Sequence, residues 1–163
     1  MVCVSLAGCG YRLAGQRLNN VNNGQGRTIA SPTFTNRSTT YRIEQRLSEA
    51  VRLELIRRTR YKVVPENTGD VVVSGEVLSV NATPILFNEQ GRASSFGLLV
   101  DVSIRVTDSR TGNVLFQNDR WTFREVFELA QNSAEFVPED TAAFDRLARR
   151  FASSFVGTFL DAR

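Results

Sequence analysis

The sequence predicts an α+β domain: a two-layer sandwich in which two helices pack on one face of a mostly antiparallel sheet of about four strands. Three observations carry this. Residues 95–107 alternate, with Leu98, Val100, Val102, Ile104 and Val106 on one side and Leu99, Asp101, Ser103, Arg105 and Thr107 on the other. That is the pattern of a strand with one buried face. Residues 41–60 and 139–160 instead repeat apolar residues at helical spacing, and a one-faced sheet needs such a cover. The 163 residues suit one domain, and a hydrophobic share of 42% is enough for a packed core and argues against disorder.

Taken in order, the chain opens on a short apolar run, residues 2–7, that leads into Leu6-Ala7-Gly8-Cys9. Small residues directly before a cysteine resemble a bacterial lipobox, in which a peptidase cuts ahead of the cysteine and the cysteine is acylated. The run is shorter than a secretory apolar region and lacks a basic stretch before it, so the true start is expected upstream. Residues 1–8 then read as a partial lipoprotein signal peptide, 9–26 as the lipidated N-terminus and linker, and 27–163 as the folded domain. Cleavage would remove Cys3 and cap Cys9, leaving a domain without thiols or disulfides, stabilised by its core. The linker is rich in Asn and Gly, which favour turns and offer little to pack.

Residues 27–34 read as the first strand, with Pro32 restricting it to an edge or end. The polar turn 35–40 can cap the helix that follows. In that helix Ile43, Leu47, Ala50, Val51 and Leu55 form one stripe, and Arg57, Arg58 and Arg60 crowd its end, where the macrodipole favours cations. Leu53 and Ile56 fall off the stripe and either widen the core face or touch a partner; the wider core is the expectation. Residues 61–64 form a short strand. Residues 70–82 form a valine-rich strand in which Gly75 marks a bulge or a close backbone approach, and Pro84 ends it. After the polar tip 88–92 comes the alternating strand, then a hairpin connection at 108–113. The returning strand, 114–127, puts Trp121, Phe123 and Phe127 on one face and Arg120, Thr122 and Arg124 on the other, with a bulge expected near its start. Phe136 is a candidate anchor in the next loop. The last helix carries Phe144, Leu147, Ala148, Phe151, Phe155 and Phe159 as one stripe. That stripe is read as core-facing rather than membrane-facing.

The chain has no histidine, which removes His-based nucleophile systems and the usual His-containing metal sites. No phosphate-binding glycine loop, dinucleotide fingerprint or cysteine pair for zinc is present. An enzyme is not expected, and no cofactor is implied. The net charge of +3 is modest and no base-reading motif is visible, so nucleic acid is not an expected partner. The candidate binding surface is the sheet face left open by the helices, where Arg105, Arg120 and Arg124 could receive phosphate or sugar groups. The alternative is a solvated face whose cations pair with Asp101, Glu76 or Glu125.

The run from Arg27 to Val64 resembles the LPS-assembly lipoprotein family, LptE. The shared features are Cys9-Gly10-Tyr11-Arg12-Leu13 after the lipobox, then Ile29, Pro32, Phe34 and Asn36 in the spacing I-x-x-P-x-F-x-N, then a long helix ending in a basic cluster. Gly75-Glu76-Val77, Thr111-Gly112 and the C-terminal helix agree as well. The resemblance implies a non-catalytic lipoprotein on the periplasmic face of the outer membrane, anchored through lipid on Cys9. It implies an LptD-like outer-membrane β-barrel as partner, which the protein plugs and helps assemble, and lipopolysaccharide as ligand. Arg92, at a loop tip, and Arg105, Arg120 and Arg124, on the open face, are the candidate lipopolysaccharide contacts. Another envelope lipoprotein of a secretion or assembly system, or a free-standing periplasmic lipid- or glycan-binding module, remains open on the residues alone.

Overall fold

The computed structural model describes residues 27–65, 67–128 and 141–162. Cys9, the linker through residue 26 and Phe136 lie outside them. The elements in chain order are β1 (Thr28–Ala30), β2 (Thr35–Asn36), α1 (Ile43–Arg58), β3 (Lys62–Val64), β4 (Val71–Phe87), β5 (Ala93–Asp108), β6 (Val114–Glu128) and α2 (Thr141–Asp161). The α+β sandwich is as expected, but the sheet has six strands rather than four, in the order β3-β1-β4-β5-β6, with β2 also on β4. Pro32 lies in the gap between β1 and β2, so one expected strand becomes two short ones. Both run parallel to β4, as β1 does to β3; the long strands β4, β5 and β6 are antiparallel.

The core lies between sheet and helices. Ile43, Leu47, Val51 and Leu55 of α1 and Leu147, Phe151, Phe155 and Phe159 of α2 are buried against Val73, Val77, Val100, Val102, Ile104 and Val106. The α2 stripe is therefore core. The helices run in the same sense: Arg46 meets Asp145 at 2.7 Å near their starts, and Arg58 donates to the Ser153 carbonyl at 3.3 Å further along.

Two clips hold the short strands. Asp70 accepts from the Thr28 backbone N–H at 2.8 Å and from its hydroxyl at 3.1 Å. The backbone bond first, and then the hydroxyl, keep the Asp70 carboxyl below its usual range. Ser48 of α1, fully buried, accepts from the Phe34 N–H at 2.8 Å. The polar turn before α1 works differently from a side-chain cap: Arg42 at the helix start makes no capping bond. Instead Asn36 accepts from Ser38 and donates to the Thr40 carbonyl and to Glu44.

Two expectations are corrected, and a third, left between two alternatives, is settled. Pro84 does not end its strand; β4 continues to Phe87 through register shifts on either side of Leu86. No described strand pairs with the far side of β4 beyond Val77, so Pro84 sits at an edge where its missing N–H costs nothing. Leu53 and Ile56 do not widen the core; they are 58% and 59% exposed. Gly75 is a close approach and not a bulge: a Cβ there would lie 2.6 Å from the Phe34 ring, and the bulge falls at Val77/Ser79.

Candidate ligand-facing surface

The open face is built by the residues of β4, β5 and β6 that alternate with the core positions. Registered pairs place Ser79, Asp101 and Thr122 in one row, Asn81, Leu99 and Arg124 in the row toward the β4–β5 hairpin, and Ser74, Arg105 and Gln117 in a row on the other side. Asp101 is the hub. It accepts from Thr122 Oγ1 at 2.6 Å and from Ser79 Oγ at 3.1 Å, and Arg120 Nη1 lies 4.0 Å from it. Arg120 sits where the β5–β6 register slips between Val102 and Ile104, which brings it close to Asp101.

The expected charge pairing is therefore met at Arg120 alone. Glu76 pairs instead with Arg37, at 2.7 Å. Glu125 faces the other way, toward α2, because it alternates in phase with Trp121 and Phe123. Arg105 and Arg124 are exposed and hold no carboxylate partner among the described residues. They are cations presented to solvent, six residues apart along β5 by register, a separation of roughly 20 Å. Arg92 is exposed at the hairpin tip, where its backbone closes a turn on Asn88. That is seven residues beyond Leu99, or roughly another 24 Å. The four arginines thus form a line along the sheet and not one converging pocket.

The hairpin end holds a feature that the sequence reading missed. Residues 81–87 are exposed throughout, so the β4–β5 hairpin stands clear of the helical layer. Ile85, Leu86 and Phe87 are 49%, 59% and 63% exposed, and Val126 is 48% exposed. Ile85 leans over Gly97, where a Cβ would meet its Cγ2 at 3.5 Å, an ordinary contact. The signal was the run Ile85-Leu86-Phe87 itself, hidden by reading Pro84 as a stop. The hairpin end is an apolar surface flanked by Arg92 and Arg124, and the face can receive an anionic amphiphile or a polar partner surface. No group of three or more metal-ligating side chains occurs among the described residues.

On the covered side, Glu125 is bracketed by Arg146 at 3.0 Å and Arg150 at 2.9 Å, one helical turn apart on α2. Burial alone would raise the Glu125 pKa, and it is the largest single influence. The hydrogen bonds and charges of the two arginines together outweigh it and hold the carboxyl below its ordinary range. A depressed folded pKa means that the stabilisation is complete at neutral pH and is lost as pH falls through that folded value. Glu125→Gln is expected to cost about 1–2 kcal/mol at neutral pH, discounted for the exposure of both arginines. Urea titrations at neutral and acid pH check it: the gap between parent and variant closes on acidification.

The family model for lipopolysaccharide-assembly (LptE) matches residues 26–157. Among solved structures, the chain is similar to a hypothetical protein from Chlamydia trachomatis, with 14% identity and a TM-score of 0.54, covering 83% of this chain and 96% of that one. It is also similar to uncharacterized lipoprotein B from Nitrosomonas europaea, with 14% identity and a TM-score of 0.51, covering 94% and 96%. At that identity the likeness is one of fold. A comparison with curated proteins gives no match.

Proposed function

This chain belongs to the lipopolysaccharide-assembly (LptE) family, and on that premise we propose that it is an outer-membrane lipoprotein, acylated on Cys9 and facing the periplasm. It plugs and helps to assemble an LptD-like β-barrel and assists lipopolysaccharide transport to the outer leaflet. Its role is one of binding and assembly, without catalysis. The observation that carries this reading is the family match across nearly the whole folded domain, residues 26–157. Residues 9–26 act as the tether between the lipid and the domain. The exposed β4 arm and tip of the β4–β5 hairpin, residues 81–92, support the reading, since they offer a surface to a surrounding wall or a passing amphiphile. No helix among the described residues is long and apolar enough to cross a membrane.

The test is detergent extraction of membranes carrying the tagged chain with its upstream start restored, followed by mass spectrometry. A barrel protein in stoichiometric amount, with acyl chains on Cys9, is the expected result. A lipidated chain without a barrel would remove the plug role, and an unmodified Cys9 would remove the anchor. Within the same reading, Arg105→Glu and Arg124→Glu should each weaken lipopolysaccharide binding roughly tenfold, the worth of one exposed charge-assisted hydrogen bond. Arg120→Glu should do less, because Arg120 already faces Asp101. Equal binding by all three variants and the parent would take the open face out of the site.

A further inference from the structure

We propose that the exposed side of α1 and the turn after it form a docking face for an anionic phospholipid surface. Leu53 and Ile56 enter the headgroup layer there, and Arg57, Arg60 and Lys62 meet its phosphates. The inference goes beyond the plug reading and shares with it only the lipid on Cys9 that would bring the face to a membrane.

Four observations carry it. Leu53 and Ile56 are more than half exposed and lie on the same side of α1 as Arg57, at spacings of three and four residues. Exposed aliphatics beside a cation on one helix side are what an interfacial helix presents to a bilayer. Second, residues 49–62 hold five cations, Arg52, Arg57, Arg58, Arg60 and Lys62, against Glu49 and Glu54. Their net charge equals the +3 of the entire chain, so the rest of the molecule is balanced. Third, the inner cations of this segment are committed. Arg52 is tied to Glu49 and to the Ser31 carbonyl, and Arg58 to Glu54 and the Ser153 carbonyl. Arg57 pairs with Glu54 while staying 71% exposed. Arg60 and Lys62 are exposed and hold no ion pair among the described residues.

The fourth observation is where the described chain begins. The Lys62 N–H donates to the Arg27 carbonyl at 3.1 Å, so the segment leading back to Cys9 leaves the domain beside Arg60 and Lys62. Seventeen residues, Gly10 to Gly26, separate that point from Cys9, and a coil of that length has a reach of roughly 20–25 Å. That keeps the face within a headgroup layer's distance of an acylated Cys9. One anchoring signal holds a protein weakly, and a basic patch beside the lipid supplies a second. A second copy of the chain is a poor occupant, since two faces of the same positive sign would repel.

The experiment uses the full chain with Cys9→Ser, so that no acyl chain contributes, floated with vesicles of phosphatidylcholine alone or with about one third phosphatidylglycerol. The expected result is preferential binding to the anionic vesicles, weakened by salt. The double variant Arg60→Ala/Lys62→Ala should lower that binding roughly tenfold or more, given about 1 kcal/mol per basic residue near such a surface. Leu53→Ser/Ile56→Ser should lower it too, with far-UV circular dichroism unchanged because both side chains lie outside the core. Equal binding to neutral and anionic vesicles, or parental binding by the charge variant, would overturn the proposal. So would variants that lose barrel co-purification while keeping vesicle binding, which would make this a protein-docking face. An unmodified Cys9 in cells would count against the anchor alone, since the flotation needs no lipid on the protein.

Discussion

Phe151→Ala is expected to destabilise the domain by about 3–5 kcal/mol, the range for truncating a fully buried aromatic. Phe151 is completely buried and sits where sheet and helices converge. Its ring meets Phe123 edge-on at 5.0 Å, Trp121 at 6.5 Å and Phe34 at 6.3 Å, and stacks on Phe155 at 6.2 Å. The surrounding rings belong to β6, to α2 and to the β1–β2 connection; β6 is held by its pairing with β5 and Phe34 by Ser48, so the void cannot collapse by moving one of them. Urea unfolding followed by circular dichroism measures the loss as a lower midpoint with an unchanged slope. A cost near 1 kcal/mol would mean that the cavity closes and that the aromatic cluster is looser than its geometry. For a domain whose total stability is of order 5–15 kcal/mol, the expected loss is a large fraction.

Gly75→Ala is expected to cost about 1–3 kcal/mol, despite the usual benefit of removing glycine from a strand. The new methyl would fall 2.6 Å from the Phe34 ring. Phe34 cannot retreat easily: its N–H is held by buried Ser48, and its ring abuts Phe151. Phe34→Ala in the same background removes all three ring atoms that the methyl would meet, Cγ, Cδ2 and Cε2. The double variant should therefore be more stable than the sum of the two single changes implies. A strictly additive pair would show that Phe34 and Gly75 are not coupled and that the strand absorbs the methyl by itself.

The sandwich was legible because the strongest patterns in the chain are long. The alternation of Leu98 to Val106 and the phenylalanine stripe of α2 each extend over several repeats, and each puts its residues in the core. The short strands were harder. β2 is two residues long and exists through pairing with Glu76 and Val77 of β4, a tertiary contact with no local periodicity. Pro84 misled for a physical reason: proline stops a central strand but is tolerated at an edge, and the sequence does not state which of the two it is. Leu53 and Ile56 show the limit of helical-wheel reasoning, since an apolar residue off the main stripe fits a wide core and a bare surface equally. The open-face arginines were placed correctly by alternation. Their pairing was not: the β5–β6 register slip that carries Arg120 toward Asp101 depends on the partner strand, whereas the alternation of Trp121, Phe123 and Glu125 already put Glu125 on the inward face.

The order in which this core is completed has a kinetic consequence. The rings of α2 that fill the space between the layers follow all the described strands in the chain, while β1 and β2 pair with β4 across some forty residues. A nascent chain that lacks α2 has α1 alone to cover the apolar sides of β4, β5 and β6. Completion of the core therefore waits for α2, which follows the strands in the chain, and pairing at such sequence distance is slow. Until then the polypeptide is a substrate for chaperones and a hazard for aggregation. It also stays threadable for as long as α2 has not completed the core, the state in which a chain can pass through a narrow pore.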